Sequence, residues 1–273
     1  MKQIIFHSSL PRSGGSALQD ILAQNLDFHT ESSSGLVNLL IPTKDSYQLP
    51  EFKARSLKLA EPRLQGLCKG ALEGYYNSIT DKKYIVDRNS QWSIHRSFLN
   101  SFYPEPKIVC MVRDLRDIFA SKEKQFRQNQ YKYESGRKVQ EMQGTTLPKR
   151  VDMWIANSNF GIALESLNEV IRQNYDDKIL FIKYEDFCLR PESEMIRLYQ
   201  HLDIPAFEHN FDEIVKVTKN DYEVYDGHDQ EDMGSVYGLK RKPSDYKIVL
   251  GADVSDWIYD NYKWFFTKFN YKK

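Results

Sequence analysis

The stretch Leu10-Pro11-Arg12-Ser13-Gly14-Gly15-Ser16-Ala17-Leu18 sets one arginine, two hydroxyl side chains and two adjacent glycines between an apolar run and an amphipathic one. That composition suits an oxyanion. Backbone N–H groups in a tight turn and in the first turn of a helix lack partners, and the helix dipole adds partial positive charge where they point. Gly14 and Gly15 let the backbone come close to an anion, Ser13 and Ser16 add hydroxyl donors, and Ala17 offers a first-turn N–H. Arg12 adds a permanent cation that grips two oxygens at once.

A second arginine stands in a comparable place. The apolar run Lys107–Val112 ends at Arg113, a helix is expected from Asp114–Leu115, and Ser121 follows two helical turns on. An arginine at a strand tip and a serine on the next helix converge on one further phosphate. The first loop is not that of a nucleotide triphosphatase, which reads GxxxxGK[ST] with a lysine on the β/γ-phosphates. Superimposed here, that pattern puts Ser9 and Gly14 on its glycines and Gly15 on its lysine. No apolar strand ends in an Asp-Asp or Asp-Glu pair suited to magnesium, so magnesium–ATP hydrolysis is disfavoured.

The elements that must carry these residues are legible as short apolar runs: Gln3–Ser8, Lys83–Arg88, Lys107–Arg113 and Lys178–Tyr184. Runs without polar alternation suit strands buried on both faces of a parallel sheet. Helical patterns lie between them: Ser16–Leu26 with Leu18, Ile21, Leu22 and Leu26 on one side; Ser90–Phe102; Asp114–Phe126; and Lys149–Arg172. The order predicts an α/β fold, a parallel sheet with helices on both faces. A single domain over residues 1–273 is expected, with irregular, lid-like segments near 128–148 and 218–245 and variable loops such as 32–80.

Lys+Arg and Asp+Glu both number 38, so no broad field for nucleic acid or membrane surfaces is indicated, and a local basic pocket is the remaining electrostatic possibility. Cys68, Cys110 and Cys188 are too few and scattered for a disulfide framework or a zinc site, and Cys110 reads as a small buried hydrophobe. No metal site is expected. No run approaches the ~20 apolar residues of a membrane span. The chain starts almost directly in a strand, which leaves no room for a signal peptide, and a cytoplasmic, reducing setting is the expectation.

Three segments together resemble the sulfotransferase family that uses 3′-phosphoadenosine 5′-phosphosulfate (PAPS) as donor, in its protein-tyrosine and bacterial branch. The stretch "LPRSGGSAL" resembles the family's 5′-phosphosulfate loop, "VRDLRD" with Ser121 its 3′-phosphate motif with Leu115 in place of proline, and "IKYEDFCLRPE" its strand–YEDL–helix segment. The resemblance implies a P-loop-like α/β fold without a metal. It also implies donor binding by Arg12, Ser13, Gly14, Gly15, Ser16, Ala17, Arg113 and Ser121, with Tyr184 near the nucleotide and Glu185 and Asp186 as scaffolding.

Metal-free sulfuryl transfer needs a base for the acceptor's proton and cations on the sulfuryl and bridging oxygens. The resemblance assigns the base to Glu31, with His29 the neighbouring alternative. It assigns the leaving-oxygen cation to Arg88, where the family has lysine, so charge stabilisation without proton donation is expected. Arg12 serves both oxygens, and Lys240 in "VYGLKRKP" matches a lysine that reaches the donor phosphate. His7 is expected as a satisfied interior residue, and Trp92 and Trp154 as core. A P-loop kinase or phosphotransferase and a catalytically silent sulfonucleotide-binding protein are the competing readings. The acceptor class is open among carbohydrate, small metabolite, lipid and peptide.

Overall fold

Four of the apolar runs form strands: β1 (Gln3–His7), β3 (Tyr84–Arg88), β4 (Lys107–Val112) and β5 (Ile179–Lys183), with a short β2 (Phe28–Thr30) at one edge. The computed structural model describes residues 2–54, 57–130, 137–156, 159–218, 233–241 and 243–273. Every pairing in the main sheet is parallel, in the order β2-β3-β1-β4-β5. His7 lies opposite Arg88, and Thr30 opposite Val86. The C-terminal ends of β2, β3 and β1 therefore stand level, with Glu31 next to Asp87.

Side chains alternate across the sheet into two cores. Ile4, Phe6, Ile85, Ile108, Cys110 and Val112 belong to one, and Ile5, Val86, Val109, Met111 and Ile182 to the other. Both faces are apolar because both are covered, which is why the strands carry no polar alternation. Cys110 is buried as expected, and burial pushes its thiol up to about 12.

The second core is covered by α1 (Gly15–Leu22) and α11 (Pro191–Leu202). The first takes residues from α2 (Leu36–Leu40), α4 (Leu57–Ile79), α5 (Arg96–Phe102), α6 (Leu115–Asn129) and, farther along, α8 (Leu147–Ala156) and α9 (Asn159–Arg172). The C-terminal α12 (Tyr246–Asn261) and α13 (Lys263–Lys268) pack there too. Short helices α3 (Pro50–Lys53), α7 (Arg137–Met142) and α10 (Tyr184–Leu189) complete the set. Among the described residues no helix is long and apolar enough to cross a membrane.

The departures from the sequence reading have local causes. Segment 32–80 is not a set of loops: α2, a 3-10 turn (Ile41–Gln48), α3 and α4 occupy most of it, and Pro62 sits inside α4. The first helix stops at Leu22, which leaves Leu26 exposed. In 90–102 only Arg96–Phe102 is α-helical, and Trp92 reaches the core from the turn before it. The pattern over 149–172 divides into α8 and α9 around residues 157–158, which lie outside the described part.

Much of 128–148 is helical rather than irregular; its residues 131–136 lie outside the described part. In 218–245, Val236–Tyr237 forms β7, antiparallel to β6 (Ile214–Val215), while 219–232 and Lys242 are outside it. Arg116 and Asp117, in the same motif as Arg113, are structural: Arg116 pairs with Asp114 at 2.6 Å and donates to the Lys272 carbonyl, and Asp117 accepts from Ser244.

Phe119 is fully buried between Trp154, stacked at 6.3 Å, and Phe160, edge-on at 5.0 Å. Phe119→Ala is expected to cost about 3–5 kcal/mol in chemical denaturation. Ile248→Ala, at an 88% exposed position, is expected to stay within about 0.5 kcal/mol of the parent.

Candidate functional site

The loop after β1 is fastened to β4 before it turns into α1. Leu10 N–H donates to the Met111 carbonyl, Met111 N–H donates to Ser9 Oγ at 2.7 Å, and Ser13 Oγ lies 2.6 Å from the Leu10 carbonyl and 2.9 Å from that of Met111. Ser13 N–H also donates to Leu10. Both of its donors are thus turned inward and the residue is fully buried, which corrects the expectation that Ser13 offers a hydroxyl to an anion.

Beyond Ser13 the backbone opens. Arg12 and Gly14 take φ of +67° and +92°, and Gly14 forms the start of α1 without any side-chain cap. The first-turn N–H groups of Gly15, Ser16 and Ala17 consequently face the cleft mouth without an intrahelical acceptor. Gly14 is required by its neighbour and its φ, and Gly15 sits in a tight place. A Cβ on Gly14 would lie 2.6 Å from the Tyr184 ring, and one on Gly15 would lie 3.1 Å from His7 and 3.2 Å from Arg88 Nη2.

The two arginine motifs meet. Arg12 Nε donates to Ser121 Oγ at 3.2 Å, and Arg113 Nη1 lies 3.4 Å from the Arg12 carbonyl. Arg113 stacks on the Tyr184 ring at 4.6 Å, while its buried Nε has no partner in the structure. Burial pushes the Tyr184 phenol up to about 12, so it stays protonated. From β3, Arg88 Nη1 reaches Ser16 Oγ at 3.0 Å and Gln19 Oε1 at 3.4 Å.

These residues surround a cleft of about 350 Å³, whose walls include Arg12, Gly14, Gly15, Ser16, Ala17 and Arg88. Arg113 and Tyr184 close its other side. A larger cavity of about 820 Å³ lies at the opposite end of the strands, by Lys2, Ile85 and Lys107. In open α/β sheets ligands sit beyond the carboxyl ends of the strands, where connections diverge. The smaller cleft occupies that place, between β1, whose helix leads towards β2, and β4, whose helices lead towards β5.

Sequence reasoning missed four residues of the cleft wall: Asp20, Lys122, Lys216 and Tyr237. Lys122 is buried with its ammonium over Trp154 and Phe160, at 5.7 and 5.6 Å, and its place directly after Ser121 was the available signal. Lys216 and Tyr237 come in on the β6–β7 hairpin. Asp20 fixes that hairpin by accepting from Val217 and Thr218 N–H and from the Tyr237 hydroxyl at 2.8 Å.

Two further expectations are corrected. Lys240 is exposed and is absent from the cleft wall; its neighbour Arg241 is the one whose charge reaches Cys188, the hydrogen-bond partner of Tyr184. His7 is only half satisfied: Nε2 contacts Ser9 Oγ, but Nδ1 has no partner. Burial, with the Arg88 charge beside it, holds that imidazole well below its ordinary value, so it is neutral at physiological pH. Trp92 and Trp154 are core, and Glu185 is scaffolding, accepting from Asp114 N–H and the Tyr271 hydroxyl.

Glu31 stands just outside the cleft wall. Gln19, already bonded to Arg88, donates to the Glu31 carbonyl at 2.7 Å; the Tyr76 hydroxyl lies 3.4 Å from Oε1 and His29 Nε2 3.8 Å from Oε2. Among the described residues no group of three or more His, Cys, Asp or Glu is placed to hold a metal ion.

The sequence matches the sulfotransferase domain family over residues 2–222, a span that contains the loop after β1, the β4–α6 segment and the β5–α10 segment. The chain is a sulfotransferase. Solved structures similar to it include the sulfotransferase domain from the curacin biosynthetic pathway, at 16% identity and TM-score 0.48 over 96% of this chain and 91% of that one. Others are a sulfotransferase from Alicyclobacillus acidocaldarius (13%, 0.48, over 77% and 85%) and sulfotransferase STF9 from Mycobacterium avium (12%, 0.46, over 96% and 76%). Likeness at that level adds nothing to the assignment, which the family match carries. No curated protein matches the sequence.

The sulfotransferase also carries a buried acid beside Arg88. Burial pushes Asp87 up to about 6, against hydrogen bonds from Trp92, Tyr76 and Ser34 that pull it down. A carboxyl with a raised folded-state value holds its proton more tightly folded than unfolded. Its contribution to stability is therefore greatest below pH 4 and falls as pH rises towards 6, by on the order of 2–3 kcal/mol. In denaturation series from pH 4 to 7.5, Asp87→Asn is expected to lose that component, and the wild-type-minus-variant difference should show it.

Proposed function

We propose that the sulfuryl donor of this sulfotransferase is PAPS and that the group passes in line to an acceptor hydroxyl or amine. What carries the reading is the hydrogen bond of Arg12 to Ser121, which makes the phosphate loop and the Arg113 corner two halves of one cationic cleft. Arg12, Arg88, Arg113, Lys122 and Lys216 stand around it, and among the described residues of its wall the one carboxylate is Asp20, whose oxygens are engaged by the β6 and β7 segments. The orphaned Arg113 Nε and the first-turn N–H groups, which lack intrahelical acceptors, fit a ligand with two anionic ends.

When bound, the donor supplies a sulfuryl group already activated on a phosphate. The loop amides of Gly15, Ser16 and Ala17 hold its 5′ end, and Arg12 and Arg88 carry the negative charge that grows on the bridging and sulfuryl oxygens. Arg113 and Ser121 hold the 3′-phosphate: Ser121 Oγ accepts from Arg12 and keeps its own hydrogen to donate. Tyr184, packed on Gly14 and under Arg113, sets the distance between the two ends. Glu31 takes the acceptor's proton, with His29 as its neighbour. Arg88 stays protonated and stabilises charge without giving a proton.

The same reading treats residues 1–273 as one domain, supported by a core cluster that runs from Ile4 to Phe269. It keeps a cytoplasmic setting, supported by three free cysteines.

Isothermal calorimetry of 3′-phosphoadenosine 5′-phosphate in EDTA tests donor recognition. Wild type is expected to bind. Arg12→Ala and Arg113→Ala should each weaken binding by at least tenfold, the scale of about 1.5–3 kcal/mol for a hydrogen bond to a charged group. Binding of magnesium–ATP instead would overturn the reading. In a screen of labelled transfer to phenols, sugars, lipids and peptides, Glu31→Gln is expected to lower kcat by about 10²–10⁴-fold with nucleotide affinity kept. Unchanged turnover would remove Glu31 as the base.

A further inference from the structure

Asp87 comes just before Arg88, the last residue of β3, and is fully buried, yet it does not line the cleft. Three elements converge on it. From the turn after β2, Ser34 Oγ lies 2.9 and 3.0 Å from its two oxygens; from the turn after β3, Trp92 Nε1 donates to it at 3.0 Å. From the last turn of α4, the Tyr76 hydroxyl comes within hydrogen-bonding reach of it. A buried carboxylate has no water to fall back on, so these donors are obligatory and their positions are fixed with it.

Two of these contacts, those of Ser34 and Tyr76, lead towards Glu31. Ser34 Oγ also accepts from Leu36 N–H at the start of α2, so Asp87 holds the whole turn from Glu31 to Gly35 against the sheet. Tyr76, 1% exposed and unable to ionise where it sits, shares its one hydroxyl hydrogen between Asp87 and Glu31 Oε1, the latter at 3.4 Å. The register places Glu31 beside Asp87, since Thr30 pairs with Val86. A single phenol therefore stands between an interior carboxylate and the one assigned to the acceptor's proton.

We propose that Asp87 and Tyr76 are positioning residues for sulfuryl transfer, holding the Glu31 carboxylate and the turn that carries it towards the acceptor. The inference rests on Glu31 as the base. It assigns a catalytic consequence to two residues that touch neither donor nor acceptor. Trp92 and Ser34 keep Asp87 in place, and the Asp87–Tyr76 pair orients Glu31.

The test compares Tyr76→Phe, Asp87→Asn and Glu31→Gln with the doubles Tyr76→Phe/Glu31→Gln and Asp87→Asn/Glu31→Gln. Folding is checked by thermal melting, affinity by calorimetry with 3′-phosphoadenosine 5′-phosphate, and turnover with ³⁵S-labelled PAPS and the best acceptor of the screen, or water. Tyr76→Phe and Asp87→Asn should each lower kcat by about 10–100-fold, the scale of a misplaced catalytic group, with nucleotide affinity unchanged within about twofold. Neither should lower it further once Glu31 is Gln.

Wild-type turnover in both single variants, with Glu31→Gln impaired, would overturn the inference and leave the base assignment standing. Equal losses with and without Glu31 would mean the pair acts on the fold and not through Glu31. Wild-type turnover in Glu31→Gln would overturn both. Should Asp87→Asn not fold, Tyr76→Phe, which removes one oxygen, carries the test.

Discussion

The hydrogen bond from Arg12 to Ser121 turns two anion cradles into one site. Each cradle alone is an ordinary feature: a glycine turn at a helix start, and an arginine at a strand tip. Joined, with Arg113 reaching back to the Arg12 carbonyl, they present opposite walls of one cleft to a single ligand. The cost is visible in the backbone. Arg12 is held at a left-handed φ, a strained conformation for a side chain of its size. Among the described residues, five cations and one engaged carboxylate line the cleft.

The sheet makes that junction geometrically natural. β1 and β4 are neighbours, and the connections leaving them run in opposite directions, so their C-terminal ends face one crevice. Ser9 and Ser13 seal the base of the crevice by bonding to Met111, and Tyr184 fills the space against Gly14. On the far side of β1, strand β3 delivers Arg88 to the cleft wall and Asp87 to the interior. Two adjacent residues on one strand thus face different tasks because a strand alternates its side chains.

How much of this was legible follows from how local each signal was. The four apolar strands, the loop at Arg12–Ala17 and the Arg113–Ser121 pair are each written in a dozen residues or fewer, and the structure keeps their placement. The edge strand β2 is only three residues long and gave no run to read. Lys216 and Tyr237 enter the cleft through Asp20, about 200 positions away, and no local pattern announces such a contact.

Ser13 misled because a serine in a phosphate loop looks like a donor whichever way its hydroxyl turns, and here backbone carbonyls claim it. Lys240 misled because a run of basic residues reads the same whether it lines a cleft or stands in solvent, and here Lys240 and Arg241 are both exposed. Asp87 was passed over beside Arg88 because a carboxylate closing a buried strand declares its role only through Ser34, Trp92 and Tyr76.

A crystal structure with 3′-phosphoadenosine 5′-phosphate measures the central claim most directly. The account predicts one nucleotide spanning the cleft, its 5′-phosphate on the amides of Gly15–Ala17 and Arg12, its 3′-phosphate on Arg113 and Ser121. Phosphates lodged elsewhere, or a nucleotide touching only one of the two arginine corners, would contradict it.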